Sequence, residues 1–386
     1  MKLVFIIAAL IVCSLRIQAQ QTGGTVSGVV TDSVSGKPLP GVSVFLNNTA
    51  HGTATRSNGT FDLPGVPQGS WQLVFSAVGF RTKVIDISSS RLPVSLTIPL
   101  QQQATELQAV TVEPYDEHGW AKWGKFFLQN FIGAGINSIQ CTLKNPTALH
   151  FHYSKRSNWL SVTATEPLHI ENNALGYDLS FELEAFTADL NSKSVRYFGY
   201  PFFQERTTTK PDRKRDWEMR RREAYNGSLM HFFRSLYAGH SIRDGFLAER
   251  QLLVPNEEKH RIKEIYRPDF QKPGAFPMDT LHYFWEVLRQ PETILKTFVI
   301  PPDSILTVGS DGVRELYFNG RLAILYGVNA RETNDYRVAG LEVLGANAVV
   351  IERNGYYHPA LDLLTTGAWA QSEKIANLLP FDYEPH

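Results

Sequence analysis

The stretch from residue 25 to residue 100 alternates apolar and polar side chains with a period of two. This is the pattern of β-strands that bury one face and expose the other. In the run Val94–Leu100, for example, every second residue is Val, Leu or Ile, and Ser and Thr stand between them. Turn sequences such as Asn58-Gly59 separate the runs, because Asn and Gly adopt the positive φ that tight turns require. The stretch therefore predicts an antiparallel β-sandwich.

Four motifs follow one another within this stretch. They are Gly28–Asp32 (GVVTD), Gly36–Val42 (GKPLPGV), Gly52-Thr53 with Asn58–Phe61 (NGTF), and Val78–Phe80 (VGF). Together they resemble the carboxypeptidase regulatory-like domain, a family of seven-stranded, transthyretin-like sandwiches at the amino terminus of exported proteins of Bacteroidetes-type bacteria. The resemblance implies an accessory domain that brings no catalytic residues. Arg56 departs from the family pattern, which has Asp in this turn, so no ion-binding role is carried over to it.

Residues 1–19 have the layout of a cleaved secretory signal. Lys2 precedes the uncharged apolar run Leu3–Leu15, and the small residue Ala19 closes the segment. The run is shorter than the roughly 20 apolar residues that cross a bilayer, so it predicts a signal peptide and not an anchor. No later stretch reaches about 18 uninterrupted apolar residues. The sequence therefore predicts an exported protein in the periplasm or associated with the outer membrane.

Charge and cysteine content narrow the choice of partners and of fold. The chain has 38 basic and 38 acidic residues, and a neutral chain offers no global field for nucleic acid or anionic lipid. Of its two cysteines, Cys13 lies in the predicted signal and leaves Cys141 alone. No internal disulfide is expected, so buried apolar cores must stabilise the fold.

The rest of the chain divides by composition and pattern. Residues 101–115 predict a polar linker, residues 116–255 an α+β domain, and residues 256–386 a strand-rich region with a terminal helix. A helix is predicted over residues 118–133, where aromatic side chains recur at intervals of three and four. These are Trp120, Trp123, Phe127 and Phe131. We interpret this face as packed on a core, in preference to a membrane or partner surface.

Four strand-like runs follow that helix, at residues 148–154, 160–166, 176–190 and 194–200, and they predict an antiparallel sheet. His150 and His152 would point to the same side of the first strand, as a pair of metal ligands does. No Cys or acidic residue at a fixed spacing completes such a site, so we predict no metal and no cofactor. Further along, residues 304–328 predict consecutive hairpins, and Asn354-Gly355 predicts another.

Residues 210–222 hold seven basic side chains among thirteen positions. These are Lys210, Arg213, Lys214, Arg215, Arg220, Arg221 and Arg222. One interpretation is a patch that binds an acidic polymer such as an acidic glycan. The other is the solvated start of a helix, in which Asp216 and Glu218 pair with nearby arginines. We favour the helix because the whole chain is neutral, and because export argues against a nucleic-acid partner.

A buried helical stripe follows the basic run. Its apolar members recur at helical spacing and are Tyr225, Leu229, Phe232, Phe233 and Leu236. Asn226-Gly227-Ser228 interrupts the stripe, where Ser228 is expected to cap a second helix, or Gly227 to allow close packing of helices. His231 and Arg234 lie off the stripe, where they face a cleft or the solvent. His231 acts as a general base only if a carboxylate or a nucleophile lies beside it.

The sequence thus predicts an all-β seven-stranded sandwich followed by an α+β region rich in antiparallel strands. The leading hypothesis is a non-enzymatic cell-envelope protein whose sandwich docks the α+β region to an envelope protein or a glycan. The alternatives are an envelope hydrolase with a dispersed site and an acidic-glycan-binding protein. No zinc carboxypeptidase, serine hydrolase or nucleotide-binding motif is present, and no catalytic residue is nominated. The tentative contact surface comprises Arg220, Arg221, Arg222, Tyr225, His231 and Arg234.

Overall fold

The computed structural model describes residues 23–103, 115–267, 275–309, 312–327, 337–345 and 348–385. The predicted signal peptide and residues 104–114 of the predicted linker lie outside the described residues. The chain divides into two compact units. Unit 1 comprises Met1–Phe131 and Gln140–Pro211, and unit 2 comprises Ile132–Ile139 and Asp212–His386. The sequence-based boundaries at residues 115 and 255 remain predictions.

Seven strands form the predicted sandwich in unit 1: β1 (Gly24–Asp32), β2 (Ser43–Leu46), β3 (Gly52–Ala54), β4 (Thr60–Val66), β5 (Ser70–Ser76), β6 (Lys83–Ser88) and β7 (Val94–Leu100). They make two sheets, in the orders β4-β1-β7 and β3-β2-β5-β6. The predicted all-β fold of this segment is confirmed. One pairing is parallel and not antiparallel. After β6 the chain crosses to the other sheet, where β7 runs parallel to β1.

Large apolar side chains join the two sheets of the sandwich. Phe61 and Phe75 are buried and meet edge to face at 5.6 Å, an arrangement that contributes about 0.5–1.5 kcal/mol beyond burial. Val44 and Leu46 are buried on one side of β2, as the alternation predicts. The same alternation places Phe45 on the outer side of β2, yet this residue is only 2% exposed. Another part of unit 1 therefore covers that outer side.

Helix α1 (Gly119–Phe131) and a second sheet complete unit 1. The strands are β8 (Cys141–Leu143), β9 (Leu149–Ser154), β10 (Trp159–Ala164), β11 (Leu168–Asn172), β12 (Tyr177–Asp189) and β13 (Ser194–Glu205). Their order is β8-β11-β12-β10-β9, and β13 pairs with β12. Phe127 and Phe131 of α1 are fully buried, and the ring of Phe127 lies 6.2 Å from that of Phe151. These two phenylalanines pack on the core, as interpreted from the sequence, whereas Trp120 at the start of the same face is 38% exposed.

Strands β12 and β13 cover the outer face of the sandwich sheet β3-β2-β5-β6. The ring of Phe202 lies 5.1 Å from the ring of Phe45, and the N–H of Asn48 donates to the carbonyl of Pro201 at 2.8 Å. A Cβ atom on Gly52 would come 2.5 Å from the Phe202 ring, so this approach requires glycine. We call this contact the sandwich joint. It fixes the sandwich to the second sheet of unit 1.

Unit 2 contains five α-helices among its described residues: α2 (Pro211–Tyr225), α3 (Leu229–Ala238), α4 (Glu257–Ile265), α5 (Met278–Arg289) and α6 (Ala368–Ser372). Its larger sheet has the order β15-β14-β18-β19-β22. The strands of that sheet are β14 (Phe246–Pro255), β15 (Thr293–Ile300), β18 (Arg321–Tyr326), β19 (Arg337–Val343) and β22 (Leu363–Gly367). A smaller sheet has the order β16-β17-β20-β21, with strands β16 (Leu306–Val308), β17 (Arg314–Leu316), β20 (Val349–Ile351) and β21 (Tyr357–His358).

Helix α3 buries four members of the predicted apolar stripe against these sheets, namely Leu229, Phe232, Phe233 and Leu236, whereas Tyr225 is the last residue of α2. The hydroxyl of Ser228 caps the helix by accepting the N–H of His231 at 3.1 Å. Gly227, one residue earlier, has a φ of 76°, and a Cβ atom there would come 2.5 Å from the ring of Tyr326. The predicted cap is therefore present, whereas the close approach at Gly227 is to a ring of strand β18 and not to a helix as predicted.

The prediction of consecutive hairpins over residues 304–328 is wrong in its second half. Strands β16 and β17 do pair with each other as a hairpin. Strand β17 next pairs with β20, whereas β18 joins the other sheet between β14 and β19. The turn residues encode a reversal of the chain, but they do not encode the sheet that the chain enters. The hairpin predicted at Asn354-Gly355 is confirmed by the pairing of β20 with β21.

Helices α4 and α5 lie between β14 and β15 in the chain and share a small core of Ile262, Phe284 and Val287. The side chain of Asn256 caps α4 by accepting the N–H of Lys259 at 3.1 Å. Across the described ranges, no helix has the length and apolar character needed to cross a membrane.

Residues 132–139 belong to unit 2, although the residues on either side of them belong to unit 1. The carbonyl of Ile132 accepts the N–H of Ala376 at 3.0 Å. The side-chain amide of Asn137 donates to Oδ1 of Asn377 at 2.9 Å. Unit 2 is thus closed by hydrogen bonds between its first and its last segments.

Candidate functional site

The basic run of residues 210–222 lies mostly on helix α2, and its first turns are exposed. Arg215 is ion-paired with Asp212, and Lys214 is paired with Glu218 at 3.9 Å. The favoured interpretation, a solvated helix with ion pairs, agrees with this arrangement. The carboxylate of Glu218 is thus paired with a lysine one turn earlier, and its predicted pairing with an arginine remains a prediction. Exposed pairs of this kind contribute about 0–1 kcal/mol.

The end of α2 places the arginines of the tentative contact surface in different surroundings. Nη1 of Arg220 donates to Oδ1 of Asn137 at 3.0 Å. Arg221 is buried, whereas Arg222 is exposed. Tyr225 at the end of the helix is buried as well. Among the six residues of the tentative surface, Arg222 alone is exposed, and a contact role for the set remains a prediction.

Tyr225, His231 and Arg234 come together where α2 meets α3, and we call them the His231 cluster. The rings of Tyr225 and His231 lie 4.7 Å apart, and the guanidinium of Arg234 lies 5.5 Å from the Tyr225 ring. Phe246 and Tyr326 lie near the same imidazole, at 4.9 and 5.6 Å. His231 is therefore half-buried among aromatic rings, whereas its position off the stripe predicts a cleft or the solvent.

Arg234 is held by carbonyl oxygens from two distant segments. Its Nε donates to the carbonyl of Asn354 at 2.9 Å, and its Nη2 donates to the carbonyl of Phe381 at 3.2 Å. These bonds tie α3 to the β20–β21 turn and to the end of the chain. The guanidinium thus has a structural role in unit 2, and its fork geometry suits two acceptors at once.

The imidazole of His231 is held in its neutral form. The N–H of Gly227 donates to Nδ1 at 3.1 Å, which requires that this nitrogen carries no proton. Burial lowers the pKa of His231 to about 4, although the negative charge of Asp244 acts to raise this pKa. Within the part of the chain that the structure describes, no carboxylate is hydrogen-bonded to this ring. The ring therefore has no hydrogen-bonded carboxylate that would orient it as a general base.

We expect the His231 ring to stay neutral until the pH falls to about 4. Because its pKa in the folded state lies below the reference value of 6.5, the unfolded state binds the proton more tightly. Stability contributed by the neutral ring is therefore lost as the pH falls from 6.5 toward 4. An NMR titration of the ring resonances, assigned with the variant His231→Asn, measures this pKa. A midpoint near 6.5 would contradict the burial of the ring.

Two carboxylates near the His231 cluster are also engaged. Oδ2 of Asp244 accepts the hydroxyl proton of Ser235 at 2.7 Å and lies 2.7 Å from Nδ1 of His240. Glu373 accepts the N–H of Leu229 at 3.1 Å, and burial raises the pKa of Glu373 to about 7. The described residues contain no group of three or more His, Cys, Asp or Glu that could hold a metal ion.

The sandwich joint contains a titratable residue that sequence reasoning missed. Oε1 of Glu182, on β12, accepts the hydroxyl proton of Ser76, on β5, at 2.6 Å. Burial raises the pKa of Glu182 to about 7, and the charge of Glu184 acts in the same direction. The two glutamates alternate with apolar residues, as on any half-exposed strand, so no local signal marks one of them as buried. The partner lies 106 residues away in sequence.

Residues 26–112 match the family model of the CarboxypepD_reg-like domain. The matched range runs from within β1 to beyond β7, and it contains the four motifs noted in the sequence. The amino-terminal sandwich is a carboxypeptidase regulatory-like domain. Unit 1 therefore combines a regulatory-like domain with a second antiparallel sheet, and the sandwich joint is the contact between them.

The chain is also similar to parts of two curated proteins of Formosa agariphila. TonB-dependent receptor P3 is 31% identical over 106 residues, which are 28% of this chain and 10% of the receptor. TonB-dependent receptor P39 is 32% identical over 115 residues, 30% of this chain and 10% of the receptor. The matching part of this chain thus spans 10% of the length of either relative.

One solved structure that is similar to part of this chain is that of BcpA, the major pilin subunit of Bacillus cereus. It is 16% identical, and the match covers 21% of this chain and 31% of the pilin with a TM-score of 0.19.

Proposed function

We propose that this protein is a non-enzymatic cell-envelope protein whose regulatory-like domain docks an α+β region to another envelope component. Relatives that carry the name TonB-dependent receptor support an envelope location. The engagement of His231 and Asp244 in internal hydrogen bonds supports a binding role over a catalytic one. The observation that carries the proposal is a pair of exposed apolar side chains at one end of the regulatory-like domain.

These side chains lie on two turns, residues 33–36 and 77–80, which together define the exit end of the domain. Val34 is 83% exposed and Val78 is 71% exposed. The N–H of Ser33 donates to the last carbonyl of β7 at 2.8 Å, and the N–H of Gln103 donates to the carbonyl of Gly79 at 2.8 Å. Both turns are therefore fastened to the segment through which the chain leaves the domain. This gives two exposed valines a rigid support.

The exit end suits docking better than the outer face of the sandwich sheet β3-β2-β5-β6. That face is occupied by β12 and β13 at the sandwich joint, where Phe45 and Phe202 bury each other. Exposed loops on a rigid scaffold carry binding surfaces in many proteins. Apolar side chains that remain in water at such loops gain free energy when a partner covers them, about 25 cal/mol for each Å² buried.

The proposal is tested by charging the exit end without disturbing the fold. In a Bacteroidetes-type host, we expect the double substitution Val34→Asp with Val78→Asp to release most of the protein from the envelope membrane fraction. Burying two carboxylates at a docked surface is strongly unfavourable. The matched control is Val308→Asp, since Val308 is 62% exposed and lies in unit 2. An unchanged distribution of the double variant between fractions, with normal circular dichroism, rejects docking through the exit end.

Surface substitutions are preferable to deletion of the whole domain. Removing residues 20–100 would expose Phe202 and leave Glu182 without its hydroxyl partner. Loss of binding in such a deletion would therefore report the collapse of the second sheet as well as the loss of docking. The two alternatives, an envelope hydrolase and an acidic-glycan-binding protein, remain predictions with less support. The exposed cations Lys214 and Arg215 are already paired with carboxylates.

A further inference from the structure

Within the described residues, strand β15 is an unprotected edge of the larger sheet in unit 2. It is the first strand in the order β15-β14-β18-β19-β22, and no strand of the described residues pairs with its outer side. It pairs with β14 in unbroken register over all eight of its residues, Thr293–Ile300. Natural edge strands are usually shortened, bulged, interrupted by proline or charged. Strand β15 has no proline and no bulge, and Lys296 is its single charge.

Apolar side chains line this edge on both faces of the sheet. Because side chains alternate along a strand, Leu295, Thr297 and Val299 share one face. Leu295 is 58% exposed and Val299 is 66% exposed. Leu253 of β14, directly opposite Leu295, is 72% exposed and extends the apolar row. On the other face, Phe298 is exposed as well. Six of the eight residues of β15 are exposed, and Ile300 at its end packs against the core of unit 2.

We propose that β15 pairs with β15 of a second copy of this chain, so that two five-stranded sheets join into one. The inference does not rest on the docking role proposed for the regulatory-like domain. It rests on a property of the strand itself, namely that its sequence is complementary to its own reverse. A twofold axis through Thr297 places Leu295 opposite Val299 of the partner, and the same contact is repeated on the other side of the axis.

On the other face of β15, the same register also places compatible side chains of the two copies opposite each other. Lys296 falls opposite Phe298 of the second copy, where its aliphatic stem packs on the ring and its ammonium reaches the solvent. Ile294 falls opposite Ile300. The two Lys296 side chains are diagonal neighbours and not direct partners, which avoids the repulsion of like charges placed opposite each other. At the axis, the two Thr297 side chains face each other, a favourable cross-strand pair.

The register predicts a pair of substitutions that each weaken self-association alone and restore association when the two variants are mixed. Leu295→Lys alone and Val299→Glu alone each place a charge against an apolar residue, and we expect each to weaken self-association at least about tenfold. When the two variants are mixed, Lys at 295 of one chain meets Glu at 299 of the other. We therefore expect the mixture to form a one-to-one heterodimer. Both positions are exposed in the single chain, so neither substitution disturbs the core.

The measurement is sedimentation velocity on the purified full chain over a range of concentrations. The expected result is a wild-type dimer, two monomeric single variants and a dimer in their mixture. The control Leu361→Lys, at a residue that is 67% exposed and outside β15, should dimerise like the wild type. A wild-type chain that stays monomeric, or a mixture that associates no better than its components, overturns the proposal. A dimer that both single variants leave intact overturns it too.

A cysteine at the axis tests the register independently. In Thr297→Cys the two new thiols lie directly opposite each other, within the reach of a disulfide. In Thr293→Cys they are separated by about 25 Å along the paired strands. Mild oxidation should cross-link the first variant and leave the second as single chains on a non-reducing gel. Equal cross-linking of the two variants, or none in either, excludes pairing about Thr297.

Discussion

Replacing Gly28 by alanine is expected to destabilise unit 1 by about 3 kcal/mol. Gly28 lies on β1, directly beside Leu96 of β7 in the parallel pair. A Cβ atom on Gly28 would come 2.1 Å from the carbonyl oxygen of Leu96 and 2.9 Å from its carbonyl carbon. Backbone atoms cannot rotate away as a flexible side chain does, so the two strands must separate and lose ladder hydrogen bonds.

The effect of Gly28→Ala is measured by denaturant unfolding followed by circular dichroism and tryptophan fluorescence. The matched control is Gly135→Ala, because a Cβ atom there meets nothing within 4 Å and the backbone is not in the left-handed region. We expect the control to change the free energy of unfolding by less than about 0.5 kcal/mol. If the two variants unfold at the same denaturant concentration, β1 and β7 are not packed as closely as described.

Replacing Glu182 by glutamine is expected to make unit 1 more stable at pH 8 and to leave it almost unchanged at pH 4. In the folded chain the pKa of Glu182 is raised to about 7 from the reference value of 4.5. Between these two values the folded state holds a proton that the unfolded state releases, so stability falls as the pH rises from 4.5 to 7. The full loss is roughly 3 kcal/mol, an upper limit because the side chain keeps some contact with solvent.

Glutamine retains an oxygen that accepts the hydroxyl proton of Ser76, and it has no charge at any pH. We therefore expect the stability of Glu182→Gln to vary less between pH 5 and pH 8 than that of the wild type. The pKa of Glu373 is raised as well, so Glu373 also makes the stability of the wild type depend on pH. Comparison of the variant with the wild type separates the contribution of Glu182. The control is Glu184→Gln, at an exposed neighbour on the same strand. Parallel pH profiles for the wild type and Glu182→Gln would show that the carboxyl is solvated and the sandwich joint is open.

Local pattern was sufficient to predict the elements whose partners are close in sequence. The alternating strands of the sandwich, helix α1 and the hairpin at Asn354-Gly355 follow from alternation, helical spacing or turn residues, whereas the number of seven strands follows from the resemblance to the regulatory-like family. The burial of Phe45 could not be predicted in this way, because the residue that covers it, Phe202, lies on a strand of another sheet. The same reason explains the missed parallel pair of β1 and β7 and the wrong partner for β18.

In the candidate site, too, features set by neighbouring residues could be predicted, whereas features set by residues distant in sequence could not. The cap at Ser228 and the buried stripe of α3 depend on spacing alone and were predicted. The surroundings of His231 depend on Phe246 and Tyr326, which the fold brings from two strands of the larger sheet. Glu182 looks like any polar residue of an amphipathic strand, and only the approach of Ser76 distinguishes it. Sequence pattern gives the chemistry of a side chain, whereas distant packing decides its ionisation.

The segment Ile132–Ile139 has a consequence for the order of events during biosynthesis. Asn137 leaves the ribosome 240 residues before its partner Asn377. Unit 2 can therefore acquire its last hydrogen bonds only when the end of the chain has been made, while the neighbouring residues on both sides of the segment are free to fold earlier. Arg220, the other partner of Asn137, is made 83 residues after it, so a ribosome stalled before residue 377 would leave the segment with an early partner but without its last one.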